Sequence, residues 1–215
     1  MQIVIYIFIV MDLRLQCNKT LVVSGPSHAG KTVFTLTLLD KRHELFKDCI
    51  NKVIWCYGIY QPSLIQELNR RNFICHQGII PLEKVEVNDI LVLDDLMKES
   101  ESSKDVTELF TVKAHHKGCF IIFITQNLFP PRKESRTRNL NTHYYAIFKN
   151  PRDKSQFEHL ARQVRPGNSK SLIRVYQDAT EKPHGYLFID FTQECPEDLR
   201  FRTDILKHPM IIYKL

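Results

Sequence analysis

The residues with the most legible chemistry are Gly25, Pro26, Ser27, His28, Ala29, Gly30, Lys31 and Thr32, which run consecutively as G-x-x-x-x-G-K-T. This is the full pattern of a phosphate-binding loop. Its glycines permit a sharp backbone path, and its N–H groups, with the positive end of the helix that follows, form a cradle for an anion. Lys31 is expected to reach the β- and γ-phosphates of ATP, and the Thr32 hydroxyl to hold Mg²⁺. A second group lies some sixty residues on, where Ile90, Leu91, Val92 and Leu93 run into Asp94 and Asp95. An apolar strand ending in a carboxylate sets an acid beside phosphate-bound Mg²⁺. Asp94 is expected to hold the metal, directly or through water, and Asp95 to polarise the attacking water. Taken alone, either acid reads better as an ordinary strand-end turn residue, and it is the full phosphate loop upstream that favours the metal and water roles.

The third group is Thr125, Gln126 and Asn127, at the end of the strand after the acidic one. A side-chain amide can donate to a phosphate oxygen and accept from a water. Gln126, with Asn127 second, is therefore the candidate γ-phosphate sensor, the alternative being a polar strand cap. The fourth group is the basic run at 130–138, with Arg132, Lys133, Arg136 and Arg138. Its arginines suit three roles: transition-state stabilisation from a neighbouring subunit, contacts to DNA phosphates, or a solvated surface run.

These groups need elements to hold them. Residues 20–24 are apolar and β-branched between Thr20 and Ser24, as a buried strand requires, and residues 31–43 suit a helix with Val33, Phe34, Leu36, Leu38 and Leu39 toward a sheet. Further strands are expected at 53–57, 89–95, 119–125, 143–148 and, closing the sheet, 185–191. Helices are expected at 62–69, opened by Pro62, and at 106–116, 153–164 and 168–178. Asp153 and Gln156 have capping-box spacing. Residues 98–105 read as a surface loop, and 73–87 carry no clear assignment. Strands alternating with helices imply an α/β fold: a P-loop NTPase with a RecA-like, additional-strand, mostly parallel central sheet flanked by helices. The expected organisation is an apolar N-terminal strand or extension at 1–18, one ATPase domain at 19–205 and a C-terminal tail at 206–215.

The 215 residues, 43% hydrophobic and 25% charged, can build one packed domain and are not those of a disordered chain. A net charge of +6 leans toward a polyanionic partner without naming one. The six cysteines form no C-x-x-C pair, so reduced, mostly buried thiols are expected rather than a zinc site. Apolar residues 1–11 are too few to span a bilayer, and no stable membrane insertion is expected. Adjacent His115 and His116 point in different directions on a helix, which disfavours joint metal binding. Trp55 reads as core rather than as a base-stacking platform.

Together these segments resemble the FtsK–HerA superfamily of viral genome-packaging ATPases, of the poxvirus-like, Polinton/Maverick or adintovirus type. The resemblance rests on Ser24 to Thr32, Leu91 to Leu96 and Phe123 to Phe129. It extends to Ala114 to His116, Ser135 to Thr137 with Leu140 and Asn141, Phe148 to Asp153, Leu160 to Gln163, His184 to Asp190 and Leu199 to Thr203, and covers about 20–205. It implies a homo-oligomeric ring, a hexamer or pentamer, that pumps double-stranded DNA into a capsid and meets a capsid or portal component. It places the chain at a virus assembly site in the host cytoplasm or nucleus, and possible association with the virion goes with it. Catalysis across subunit interfaces is implied too, with Arg136 first and Arg138 second as the arginine acting in trans. Where Glu is more usual in the superfamily this chain has Asp95, whose shorter side chain must come closer to the water or act through a second one. Two other classes stand beside this one: a nucleotide-binding scaffold from a decayed mobile element with little turnover, and a P-loop kinase-like enzyme. Intact Lys31, Thr32, Asp94, Asp95 and Gln126 argue against decay. The guanine-recognising N-K-x-D pattern is absent where Thr125 to Leu128 stands.

Overall fold

The strand that carries the phosphate loop, β2 (Thr20–Ser24), is buried along its whole length. Val22 packs into one hydrophobic cluster, and Leu21 and Val23 into another on the opposite side. The same division runs through β3 (Val53–Tyr57), β5 (Ile90–Asp94), β6 (Phe120–Thr125) and β7 (Tyr144–Phe148). A strand covered on both faces must be apolar at successive positions, which is why these segments read as unbroken hydrophobic runs. A computed structural model describes residues 2–5, 12–94, 96, 118–129 and 141–215.

The remaining strands are β1 (Gln2–Ile5), β4 (Ile74–Gln77), β8 (Tyr186–Asp190), β9 (Phe201–Thr203) and β10 (Ile211–Lys214). Among the described residues they form one ten-stranded sheet in the order β1-β10-β9-β8-β7-β2-β6-β5-β3-β4. From β7 to β4 all neighbours are parallel. On the other side β8, β9, β10 and β1 form an antiparallel wing. Helices α1 (Lys31–Asp40) and α3 (Pro62–Arg70) pack Phe34, Leu38, Leu39, Leu64 and Leu68 on one face, and α2 (Arg42–Leu45) continues from α1. On the other face, α4 (Ser155–Val164) and α5 (Ser169–Ala179) contribute Phe157, Leu160, Leu172 and Val175. Between them the Phe157 and Tyr176 rings stack with centroids 4.0 Å apart. The expected fold class is thus the observed one: a mixed, mostly parallel sheet with helices on both faces.

Several local expectations change. Residues 73–87 contain β4 and a short 3₁₀ turn at Leu82–Lys84. β8 does not close the sheet. It is followed by β9, and by β10 in the segment expected to be a tail, where Ile212 and Tyr213 are buried. Helix α4 begins at Ser155 rather than Asp153. The Asp153 carboxylate takes the Ser155 amide and hydroxyl and the Gln156 side-chain amide, so the pair meets through side chains instead of as a reciprocal capping box. The loop at 98–105 and the helix at 106–116, with His115 and His116, lie outside the described residues. All six cysteines are thiols. Burial pushes Cys56 and Cys195 up to about 11 and Cys17 to about 12, so all three are held protonated and unreactive.

The wing is held by a buried ion pair. Arg202 on β9 donates to Asp190 at the end of β8 and lies over the Phe188 ring, while Thr192 donates to Asp190 from its amide and hydroxyl. Arg202 is 2% exposed and Asp190 6%. Truncation at Arg202 strands a buried carboxylate, which typically costs about 3–5 kcal/mol. Arg202→Ala is therefore expected to lower unfolding free energy by that order in urea titration, and a loss under about 1 kcal/mol would show that the pair does not hold the wing.

Candidate functional site

Three chain segments leave the sheet at one edge. Ser24 on β2 is in register with Thr125 on β6, and Asp94 on β5 with Ile124. The strand carrying the sensor candidate therefore lies between the phosphate-loop strand and the acidic strand, the added-strand arrangement expected from the sequence.

The loop begins with a close approach. Gly25 donates its N–H to the Thr125 carbonyl at 3.2 Å, and a Cβ placed on it would stand 2.7 Å from Phe148 Cβ. Only glycine fits there. The loop ends at Gly30, whose φ of +103° is in the left-handed region. Gly30 is also the N-cap of α1, and no side chain caps the first turn. The amides of that turn belong to a helix N-terminus, the kind of position where anions bind. The Lys31 ammonium donates to the carbonyls of Gly25 at 2.7 Å and Pro26 at 2.8 Å. Those bonds draw the side chain back across the loop and fix its charge inside the curve that a phosphate would occupy.

Thr32 is half-buried in the first turn of α1, and Asp94 is partly buried at the end of β5. A hydroxyl and a carboxylate on one sheet edge are hard oxygen donors of the kind Mg²⁺ takes alongside phosphate oxygens and water. The donor set therefore fits that metal. Asp94 Oδ2 accepts a hydrogen bond from the Trp55 indole at 3.3 Å. Trp55 is fully buried on β3, so the core residue expected from the sequence also orients the acidic side chain. Nothing in the spacing of Trp55 and Asp94 signals this, because it arises only from the β3–β5 pairing.

Gln126 and Asn127 are exposed just past β6. The Thr125 hydroxyl donates to the Asn127 carbonyl at 3.0 Å and accepts the Asn127 amide at 3.3 Å, closing a tight turn with Gln126 at its apex. Leu128, next along, donates its amide to Gln156 Oε1 at 2.7 Å, and Gln156 donates to Asp153 at 2.7 Å. Hydrogen bonds from Ser155 and then Gln156 hold the Asp153 carboxyl below the usual carboxylate range. Gln156 thus positions the turn that carries Gln126, a use that its capping-box spacing with Asp153 does not signal.

The structure brings Gly25 to Thr32, Asp94 and Gln126 to one edge. Asp95, Arg132, Lys133, Arg136 and Arg138 lie outside the described residues. Beside the loop runs a cleft of about 770 Å³ bordered by Gly30, Val33, Thr37, His184, Tyr186 and Leu206, roomy enough for a nucleoside. Val33 projects there 68% exposed. Among the described residues no helix is long and apolar enough to cross a membrane.

No protein-family model matches the chain. No curated protein matches it in sequence. Solved structures do match in fold. The genome-packaging NTPase B204 of Sulfolobus turreted icosahedral virus 2, in complex with ATPγS, aligns over 92% of this chain and 98% of its own, with a TM-score of 0.53 and 12% identity. The DNA-packaging ATPase B204 of Sulfolobus turreted icosahedral virus aligns over 94% and 100%, with a TM-score of 0.54 and 11% identity. At such identities the likeness is one of fold, and it runs nearly end to end in both directions.

The Gly25 contact generates a direct test. Gly25→Ala must displace either the loop or Phe148, so nucleotide affinity is expected to fall by at least about tenfold while the melting temperature stays within a few degrees. Equilibrium binding of a fluorescent ATP analogue checks this, and unchanged affinity would mean the close approach has no bearing on the loop's shape.

Proposed function

We propose that this chain is an ATP-hydrolysing motor that moves double-stranded DNA into the capsid of a virus or virus-like element. The observation that carries the reading is the tethered lysine: Lys31 folded onto the Gly25 and Pro26 carbonyls, at a sheet edge shared with Asp94 and Gln126. The end-to-end likeness in fold to two viral packaging ATPases supports the choice of a packaging motor over other P-loop enzymes. In this reading the loop and Lys31 bind the phosphates, Thr32 and Asp94 hold Mg²⁺, Asp95 acts on the attacking water, and Gln126 senses the γ-phosphate. When bound, Mg²⁺ supplies charge neutralisation across the phosphates. Arg136, or failing it Arg138, enters the neighbouring subunit's site in a homo-oligomeric ring. A capsid or portal component as partner, and the virus assembly site in host cytoplasm or nucleus as location, belong to the same proposal. The net charge of +6 suits the DNA.

The deciding experiment measures ATP turnover with and without long duplex DNA, together with oligomer mass. Mg²⁺-dependent turnover is expected, raised several-fold by DNA, with the stimulation weakening steeply as salt increases. Lys31→Ala should lower turnover by at least about a hundredfold, the scale of removing one preorganised charge-stabilising group. Undiminished turnover in that variant would sink the ATPase assignment, and turnover indifferent to DNA would favour the scaffold reading. A second measurement addresses the shared site. Subunits carrying Arg136→Ala, mixed and reassembled with Lys31→Ala subunits, are expected to regain part of the activity each lacks alone. Absence of rescue in assemblies proven mixed by mass would remove the trans role from Arg136.

A further inference from the structure

The turn between α5 and β8 touches the phosphate loop from the side opposite the acidic strand. His184 in that turn places its ring Nδ1 3.2 Å from the Ala29 carbonyl oxygen. A Cβ built on Gly30 would meet His184 Cβ and Nδ1, each at 3.3 Å, so the ring also packs along the glycine's open face. His184 holds a φ of +61°, a region that Gly and Asn occupy more readily. A β-carbon kept in this strained region points to a use for the side chain.

The support behind the ring is stiff. Gly185 donates its amide to the Lys182 carbonyl at 3.0 Å, and a Cβ there would lie 2.7 Å from the Ala179 carbonyl oxygen. Thr180 donates its hydroxyl to the Tyr176 carbonyl at 2.7 Å, and Tyr213 on β10 donates to Asp178 at 2.7 Å. The turn is thereby anchored to α5 and to the antiparallel wing.

We infer that His184 is a positioning residue for nucleotide binding: by donating to the Ala29 carbonyl it fixes the peptide plane between Ala29 and Gly30, and so aims the Gly30 amide into the anion cradle. The inference rests on the nucleotide reading above. The peptide unit is planar and trans, so its C=O and N–H point in opposite directions. Holding the carbonyl on His184 therefore directs the Gly30 N–H away from the turn. The lock is needed because Gly30 has no Cβ and can take either sign of φ, which makes a flip of this plane cheap. A flipped plane would remove one donor from the cradle and turn a carbonyl oxygen toward the phosphates.

The test uses the full chain with His184→Ala, His184→Gly and His184→Asn. Alanine removes the donor; glycine removes it and relieves the backbone strain. Asparagine puts an amide donor near the position of Nδ1 and tolerates positive φ. Equilibrium binding of ATPγS and of ADP is measured for each, with kcat, KM and the nucleotide-free melting temperature. The alanine and glycine variants are expected to bind both nucleotides about five- to tenfold more weakly, the scale of one hydrogen bond. Their KM should rise more than their kcat falls, and asparagine should return affinity to within about twofold of the parent. Glycine keeps the test sound if alanine folds poorly. Parent-like affinity in the glycine variant, or asparagine as weak as glycine, overturns the inference. A parent protein that binds neither nucleotide overturns instead the reading on which it rests.

Discussion

A loop that offers its N–H groups to an anion must find partners elsewhere for its carbonyls, since buried or half-buried peptide oxygens are rarely left unpaired. Here those partners come from three directions. Lys31 takes the Gly25 and Pro26 oxygens, the Phe34 amide takes that of Gly30, and His184 takes that of Ala29. The first two come from the loop's own helix and are local consequences of G-x-x-x-x-G-K-T. The third reaches the loop from a turn 155 residues away in sequence. The loop's shape is thus set jointly by its own sequence and by the wing of the sheet. Any motion of the wing relative to α1 would be felt at the peptide plane that His184 holds.

The parallel part of the sheet solves a different problem, that of bringing separate chain segments to one edge. A slip of one residue in these strands would exchange the side chains of the two clusters, so their register rests on how each cluster packs. With β6 seated between β2 and β5, the Thr125 carbonyl receives the Gly25 amide, while the residues that follow β6 lie between the loop and the acid. The Trp55 indole on Asp94, and the chain from Leu128 through Gln156 to Asp153, then fix the Asp94 carboxylate and the Gln126 turn from behind. Each orienting bond comes from an element other than the one carrying the group it orients. That division holds the loop, the acid and the turn in a fixed mutual geometry, which is what preorganised sites require.

What could be read from the chain divides along the same line. Runs such as 20–24, 90–93 and 120–125 were legible because central parallel strands admit no polar interruption, and the phosphate loop because its chemistry dictates residue types at fixed spacing. β4 was obscured by mixed composition: Ile74 is 44% exposed, and Cys75, His76 and Gln77 follow it. β9 has three residues, too few to show a period, with Arg202 at its centre where burial would call for an apolar side chain. Asp153 and Gln156 fit a local cap so well that the tertiary use of Gln156 left no trace in the spacing. His184 and Trp55 owe their contacts to pairing across the sheet. Such contacts lie beyond any window in which periodicity can be counted.

The buried Arg202–Asp190 pair gives this division a physical basis. β8 has to deliver Tyr186, which packs with Phe34 and Phe148, and the turn just before it has to deliver His184. Its register against β7 sets Tyr186 opposite Phe148 and Asp190 opposite Tyr144. Apolar residues alone specify that register weakly, since Leu187, Phe188 and Ile189 could each fill a core position after repacking. A carboxylate buried without its guanidinium is far less tolerable. The ion pair excludes slipped pairings at one end of β8, and because the strand is continuous the exclusion is felt at the other, where His184 meets the loop. A charged residue in the middle of β9 thus obscures the strand in sequence and fixes it in the fold.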